Sequence, residues 1–174
     1  MGRNDRPVRR VERSFSFIDI SGFTAFTETE GDDQAVAMLG RFRRVVRDVA
    51  SSRGVRVAKW LGDGAMLVAI DLTNLLEAVT DIGVDAERDD IGIALPIRAG
   101  VAHGPVILME GDDHIGTPVN LAARLCDEAQ PNEVLAPEWV LDRPLPANTV
   151  SRPVGARKVR GIAQPVELVR LEPS

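Results

Sequence analysis

Apolar positions recur along this chain in two rhythms, and the rhythm assigns most of its secondary structure. Ala35, Met38, Leu39, Phe42, Val45, Val46 and Val49 return every three or four residues, the spacing of one helix face. This predicts a helix from Asp32 or Asp33 to Ser52, with Gly54 following as a stop. A second helix is predicted over about 71–87, with Leu72, Leu75, Leu76, Val79 and Ile82 on one face. A third begins at Gly116-Thr117-Pro118, with Thr117 as N-cap and Pro118 at the first helical position, and runs to about 129. The run 14–20 is apolar without strict alternation, which predicts a strand buried on both faces. Two more apolar runs, 55–61 and 65–70, flank Gly62-Asp63-Gly64 and read as a hairpin. Segments 96–101 and 106–109 read as a further strand pair, turned by Ala102-His103-Gly104-Pro105. A Pro-rich loop over 142–153 precedes two strands, 154–160 and 166–171. The order β-α-β-β-α-β with additions predicts an α+β fold with a ferredoxin-like core and helices covering a mainly antiparallel sheet.

Composition narrows the setting. At 174 residues the chain is long enough for one domain with a substantial core. A net charge of -5 argues against nucleic acid as a generic partner. The single cysteine, Cys126, excludes an intrachain disulfide, and no stretch is long or apolar enough for a membrane span or a secretion signal, so a cytoplasmic protein is expected. Residues 1–13 carry Arg3, Arg6, Arg9, Arg10 and Arg13 with little apolar content, which predicts a mobile basic arm or linker stub ahead of a domain at 14–174. Basic residues are otherwise almost all arginine, Lys59 and Lys158 being the lysines. Lys59, four residues before Asp63, therefore invites a specific role, against the plainer reading of an exposed lysine on a strand.

Two carboxylates stand in apolar surroundings, Asp19 at the end of the strand over 14–20 and Asp63 at the hairpin tip. A carboxylate buried there unpaired would be costly, so it caps a helix, meets a cation or holds a metal ion. Read singly, Asp19 is equally an N-cap and Asp63 a turn former. The small polar stretch Ser21-Gly22-Phe23-Thr24 can open a helix and present backbone N–H groups to an anion. On the third helix Asn120 and Arg124 share a face, which suits a sugar hydroxyl and a phosphate, or else a solvated surface with Arg124 paired to Glu128. His103 reads as a turn residue, not a ligand, since no other histidine or cysteine is spaced to help it.

Taken together, five segments resemble the catalytic domain of class III nucleotidyl cyclases, the adenylate and guanylate cyclase family. They are 17–24 (Phe-Ile-Asp-Ile-Ser-Gly-Phe-Thr), 59–64 (Lys-Trp-Leu-Gly-Asp-Gly), 98–104 (Arg-Ala-Gly-Val-Ala-His-Gly), 116–125 (Gly-Thr-Pro-Val-Asn-Leu-Ala-Ala-Arg-Leu) and 159–161 (Val-Arg-Gly). They occur in the family's order and cover nearly the whole chain.

The resemblance implies that a nucleoside triphosphate's ribose 3′-hydroxyl attacks its own α-phosphate and expels pyrophosphate. Asp19 and Asp63, with the Ile20 carbonyl, would hold two divalent cations, Mg²⁺ or Mn²⁺. Amides from Ser21, Gly22, Phe23 and Thr24 would cradle phosphates, which Arg98 and Arg160 would also contact, although the family often has lysine at the latter position. Asn120 would orient the ribose and Arg124 would meet charge developing at the α-phosphate. Lys59 and Asp113 would read adenine, making ATP the expected substrate, with Asp112 the substitute if the loop is shifted by one. Aromatic residues common in the family near that loop are missing from 112–115. The family draws metal and base-reading residues from different subunits, so a head-to-tail homodimer is the expected partner. A guanylate cyclase and a catalytically silent nucleotide-binding module are the rival readings.

Overall fold

A strand buried from both sides organises the molecule. The computed structural model describes residues 8–88, 92 and 94–174, with the backbone alone for Asp112. β1 (Arg10–Ile20) is flanked antiparallel by β3 (Gly64–Ala69) and β4 (Ile97–Leu108). The eight-stranded sheet runs β2-β3-β1-β4-β6-β8-β7, where β2 is Arg56–Leu61, β6 Val134–Pro137, β7 Thr149–Arg157 and β8 Val166–Pro173; β5 (His114–Ile115) adds to β4. Among the described residues only the β4–β6 pairing is parallel. Helices α1 (Phe23–Glu30) and α2 (Asp32–Ser52) follow β1, α3 (Leu72–Glu87) follows β3, and α4 (Thr117–Glu128) follows β5. The order β2-β3-β1-β4 with these crossovers is the expected ferredoxin-like core, extended by β6, β8 and β7.

Each face of the sheet has its own core. Met38, Phe42 and Val46 of α2 and Leu75, Leu76 and Ile82 of α3 pack on Ile18, Ile20, Leu67 and Val101. On the opposite face Leu121, Ala122 and Leu125 of α4 pack on Phe15, Met66, Val68 and Ala102. This explains the missing alternation in β1: Phe15 and Ile18 are both buried but face opposite layers, and each contributes about 1.5–3 kcal/mol of burial. α4 lies so close to β4 that a Cβ on Gly100 would fall 2.1 Å from the Ala122 carbonyl oxygen and 2.4 Å from the Cys126 nitrogen. That contact sets the height of α4, and with it the positions of Asn120 and Arg124.

Several boundaries differ from the sequence expectation. Ala102-His103-Gly104-Pro105 is not a turn but the middle of β4, because β1 offers an unbroken ladder from Arg10↔Ile107 to Ile20↔Ile97. His103 sits opposite Ser14 and their side chains share a 2.8 Å hydrogen bond between Oγ and Nδ1. The ladder also draws in Arg10–Arg13, the end of the expected arm; residues 1–7 lie outside the described residues. Gly116, not Thr117, is the N-cap of α4, and no side chain caps that end. β7 begins at Thr149, inside the expected loop; it is an edge strand, where Pro153 removes no needed donor, and a bulge follows at Gly155 (φ 96°). It ends at Arg157, leaving Arg160 in a turn closed by Gly161 (φ 80°). β6 was not foreseen: four residues carry too little periodicity to announce a strand.

Candidate active site

The end of β1 and the tip of the β2–β3 hairpin are locked together. The Ile20 amide donates to the Asp63 carbonyl at 3.1 Å, and Asp19 pairs in register with Gly64. A Cβ on Gly64 would lie 2.8 Å from the Ile18 carbonyl oxygen and 3.0 Å from the Asp19 Cβ, so only glycine lets the two segments approach this closely. Asp19 and Asp63 thereby line one pocket with Phe17, Leu61, Cys126 and Asp127. Burial holds the Asp19 carboxyl above the ordinary carboxylate range; Arg98 opposes that rise and the neighbouring Asp63 adds to it. Burial also pushes the Cys126 thiol up, so it stays a packing group. Among the described residues no three His, Cys, Asp or Glu side chains converge as a metal cluster. The two carboxylates lining this pocket are hard oxygen donors that suit Mg²⁺ or Mn²⁺ when substrate phosphates supply further ligands.

Arg98 lies at this pocket and is held by the protein. Its Nε donates to Asp19 Oδ1 at 2.7 Å and a terminal nitrogen donates to Oδ2 at 3.2 Å. The other terminal nitrogen donates to the Asp127 carbonyl at 2.8 Å, at the carboxyl end of α4. The amides expected to cradle phosphate are only partly open. The Ser21 amide donates to the Pro96 carbonyl at 2.6 Å, and the Ser21 hydroxyl is buried without a hydrogen-bond partner among the described residues. Gly22 (φ 71°) caps α1 without any side-chain hydrogen bond, so the first turn, with Phe23 and Thr24, keeps donors for an anion.

A second pocket adjoins the first at Phe17 and Leu61, which line both. Here Lys59 Nζ donates to Asp113 Oδ1 at 2.8 Å, and that hydrogen bond holds the Asp113 carboxyl below the ordinary range. The Asp113 loop is closed by the Met109 amide on the Asp113 carbonyl at 2.8 Å and by Gly111 at φ 76°. Next to it His114 meets Phe15 edge to face. The alternative reader, Asp112, has its side chain outside the described residues.

Asn120 and Arg124 project from the exposed side of α4. Arg124 approaches Asp127 at 3.8 Å, not Glu128. A Cβ on Gly161 would lie 3.9 Å from Arg124 Nε, so the turn carrying the exposed Arg160 stands beside Arg124. Three contributors escaped sequence reasoning: Gly64 and Gly100, whose need appears only when strand and helix close on them, and the Asp127 carbonyl, which carries no side-chain signal.

This architecture defines a nucleotidyl-cyclase type of α+β domain. It superposes on adenylate cyclases of Trypanosoma brucei, solved in their monomeric state, with a TM-score of 0.83 at 18% identity over 92% of this chain and 87% of that one. It also superposes on the guanylate cyclase domain of the Catenaria anguillulae protein RhGC, with a TM-score of 0.79 at 17% identity over 95% and 98% of the chains. In sequence, an uncharacterised protein of Mycobacterium tuberculosis is 37% identical over 132 residues, 76% of this chain and 34% of that protein. A pH-sensitive adenylate cyclase of the same species is 32% identical over 160 residues, 90% of this chain and 39% of that one. No family model matches. Fold and sequence likeness together place the chain in the class III nucleotidyl cyclase family, as a catalytic domain. The chain spans just over a third of the length of the relatives it matches. None of its described helices is long and apolar enough to cross a membrane.

Proposed function

We propose that this domain converts ATP to 3′,5′-cyclic AMP and pyrophosphate in the cytoplasm, at sites shared across a head-to-tail homodimer. The observation that carries the choice of base is the Lys59–Asp113 contact at the rim of a pocket. An ammonium donor beside a carboxylate acceptor matches adenine, whose N1 accepts and whose exocyclic amine donates. Guanine presents the reverse order along this edge, an acceptor at O6 and a donor at N1, so lysine and carboxylate would have to exchange places to read it.

Asp19, Asp63 and the Ile20 carbonyl would hold two divalent cations, Mg²⁺ or Mn²⁺, which when bound would ease ionisation of the ribose 3′-hydroxyl and neutralise the triphosphate. The remaining work belongs to the chain's own groups. The α1 amides take phosphate oxygens, assisted by Arg98 and Arg160. Asn120 fixes the ribose so that its 3′-hydroxyl points at the α-phosphate. Arg124, exposed and only loosely approached by Asp127, meets the charge that develops there. Two-fold pairing lets Lys59, Asp113, Asn120 and Arg124 of one subunit complete the carboxylate site of the other.

The test is purified protein with ATP or GTP and Mn²⁺ or Mg²⁺, following cyclic nucleotide and pyrophosphate together. Equal amounts of cyclic AMP and pyrophosphate are expected. Cyclic GMP as the main product would overturn the base assignment, and nucleotide binding without pyrophosphate release would make the domain a silent regulatory module.

A further inference from the structure

We propose that Arg98 is a built-in competitor of the divalent cation for Asp19, so that cation and substrate phosphates bind this chain cooperatively. The inference rests on the two-carboxylate reading above and adds the residue that couples its two ligands. The geometry is specific. The guanidinium fork covers both Asp19 oxygens, at 2.7 and 3.2 Å, with both side chains partly buried at 28% and 22% exposure. A cation taking Asp19 as a ligand needs those same oxygens and is repelled by a guanidinium bound to both of them. Asp63 differs: among the described residues no cation is placed on it. One carboxylate of the pair is therefore latched while the other stands open.

The latch has a second anchor. The third Arg98 contact, 2.8 Å to the Asp127 carbonyl, sits at the negative end of the α4 dipole. When Asp19 is taken by a cation, this carbonyl keeps the guanidinium beside the pocket, where a phosphate can replace the lost carboxylate. An incoming phosphate conversely draws Arg98 from Asp19 and frees its oxygens. Linkage makes the two effects equal: phosphate strengthens cation binding by the factor by which the cation strengthens phosphate binding.

Binding of Mn²⁺ alone, followed on the full chain by the electron paramagnetic resonance signal of free Mn²⁺, tests this without turnover. Arg98→Gln removes the competitor and is expected to bind Mn²⁺ about tenfold more tightly than the unaltered chain, within the usual range of coupling between sites. Arg98→Lys keeps the charge but cannot span both oxygens and the carbonyl, so it should fall between the two and serves if the Gln variant does not fold. Unchanged or weaker Mn²⁺ binding in the folded Arg98 variants, with Asp63→Asn still lowering it, would overturn the competition and leave the carboxylate site standing. Mn²⁺ binding indifferent to both Asp19→Asn and Asp63→Asn in the Arg98→Gln background would overturn the carboxylate reading, and the competition with it.

Discussion

Lys59 Nζ and Asp113 Oδ1 meet at 2.8 Å although 54 residues separate them in the chain. Both side chains are more than half exposed, so the pair contributes little to stability in water. Its position at a pocket rim suits the base-reading role proposed for it. Lys59→Ala and Asp113→Gly are therefore expected to leave the melting temperature nearly unchanged while weakening the preference for ATP over GTP. Comparing kcat/KM for the two nucleotides checks this; a fall in stability with intact preference would return the pair to a structural role. Preference that survives Asp113→Gly but falls in Asp112→Gly would shift the loop assignment by one residue.

Asp63→Ala should reduce cyclisation to background while circular dichroism shows an intact fold, because the Asp63 carbonyl that anchors Ile20 is backbone and survives the change. Asp19→Ala should be equally inactive but somewhat less stable, since it leaves the partly buried Arg98 guanidinium without its fork partner. Turnover unchanged in either variant would remove the carboxylates from the reaction. Arg124→Ala should instead lower kcat by about 10²–10³ with KM little changed, as expected for a contact made in the transition state.

Gly100→Ala is predicted to be among the most damaging single-methyl changes in the chain. The added carbon would meet helix backbone, the Ala122 oxygen at 2.1 Å and the Cys126 nitrogen at 2.4 Å, and neither can rotate away. α4 must move off β4, at a cost of about 3 kcal/mol or more by overpacking. Chemical denaturation measures the loss, and activity should fall further than stability because Asn120 and Arg124 move with the helix.

His103 gives the fold an acid limit. Burial, aided by the positive charge of Arg143, holds its imidazole below the ordinary histidine range, against the opposing pull of Glu12 and Asp71. Between its unfolded value, about 6.5, and the lower folded one the unfolded chain binds more protons, so stability rises with pH across that window and is lost as pH falls through it. His103→Gln, which retains a partner for Ser14, should flatten the melting temperature between pH 7 and 5. An unchanged acid slope in that variant would assign the effect to another group.

Lys59 and Asp63, four residues apart, are expected to serve different active sites. Lys59→Ala and Asp63→Ala homodimers should each be nearly inactive, whereas random mixing places both lesions in one site of half the dimers and restores roughly a quarter of full activity under two-fold symmetry. Mixing Asp19→Ala with Asp63→Ala should restore nothing. Recovery in that second mixture, or none in the first after verified exchange of subunits, would refute shared sites.

The sequence by itself determined the parts whose physics is local. Helical spacing in α2 and α3, the doubly buried run of β1 and the Gly-Asp-Gly hairpin all follow from neighbours within a few residues, and the acids at 19 and 63 are conspicuous because carboxylates are costly amid apolar residues. The joint motif order named the residues of the candidate site. Tertiary structure decided the rest. Gly104-Pro105 reads as a turn in isolation, yet the long β1 ladder holds it extended. β6 exists only because β4 and β8 offer edges on either side of four residues. The engagement of Arg98 with Asp19, the closeness of α4 to Gly100 and the meeting of Lys59 with Asp113 depend on strand register and helix height. Those are set by the packing of two cores against one sheet, which no window of the chain contains.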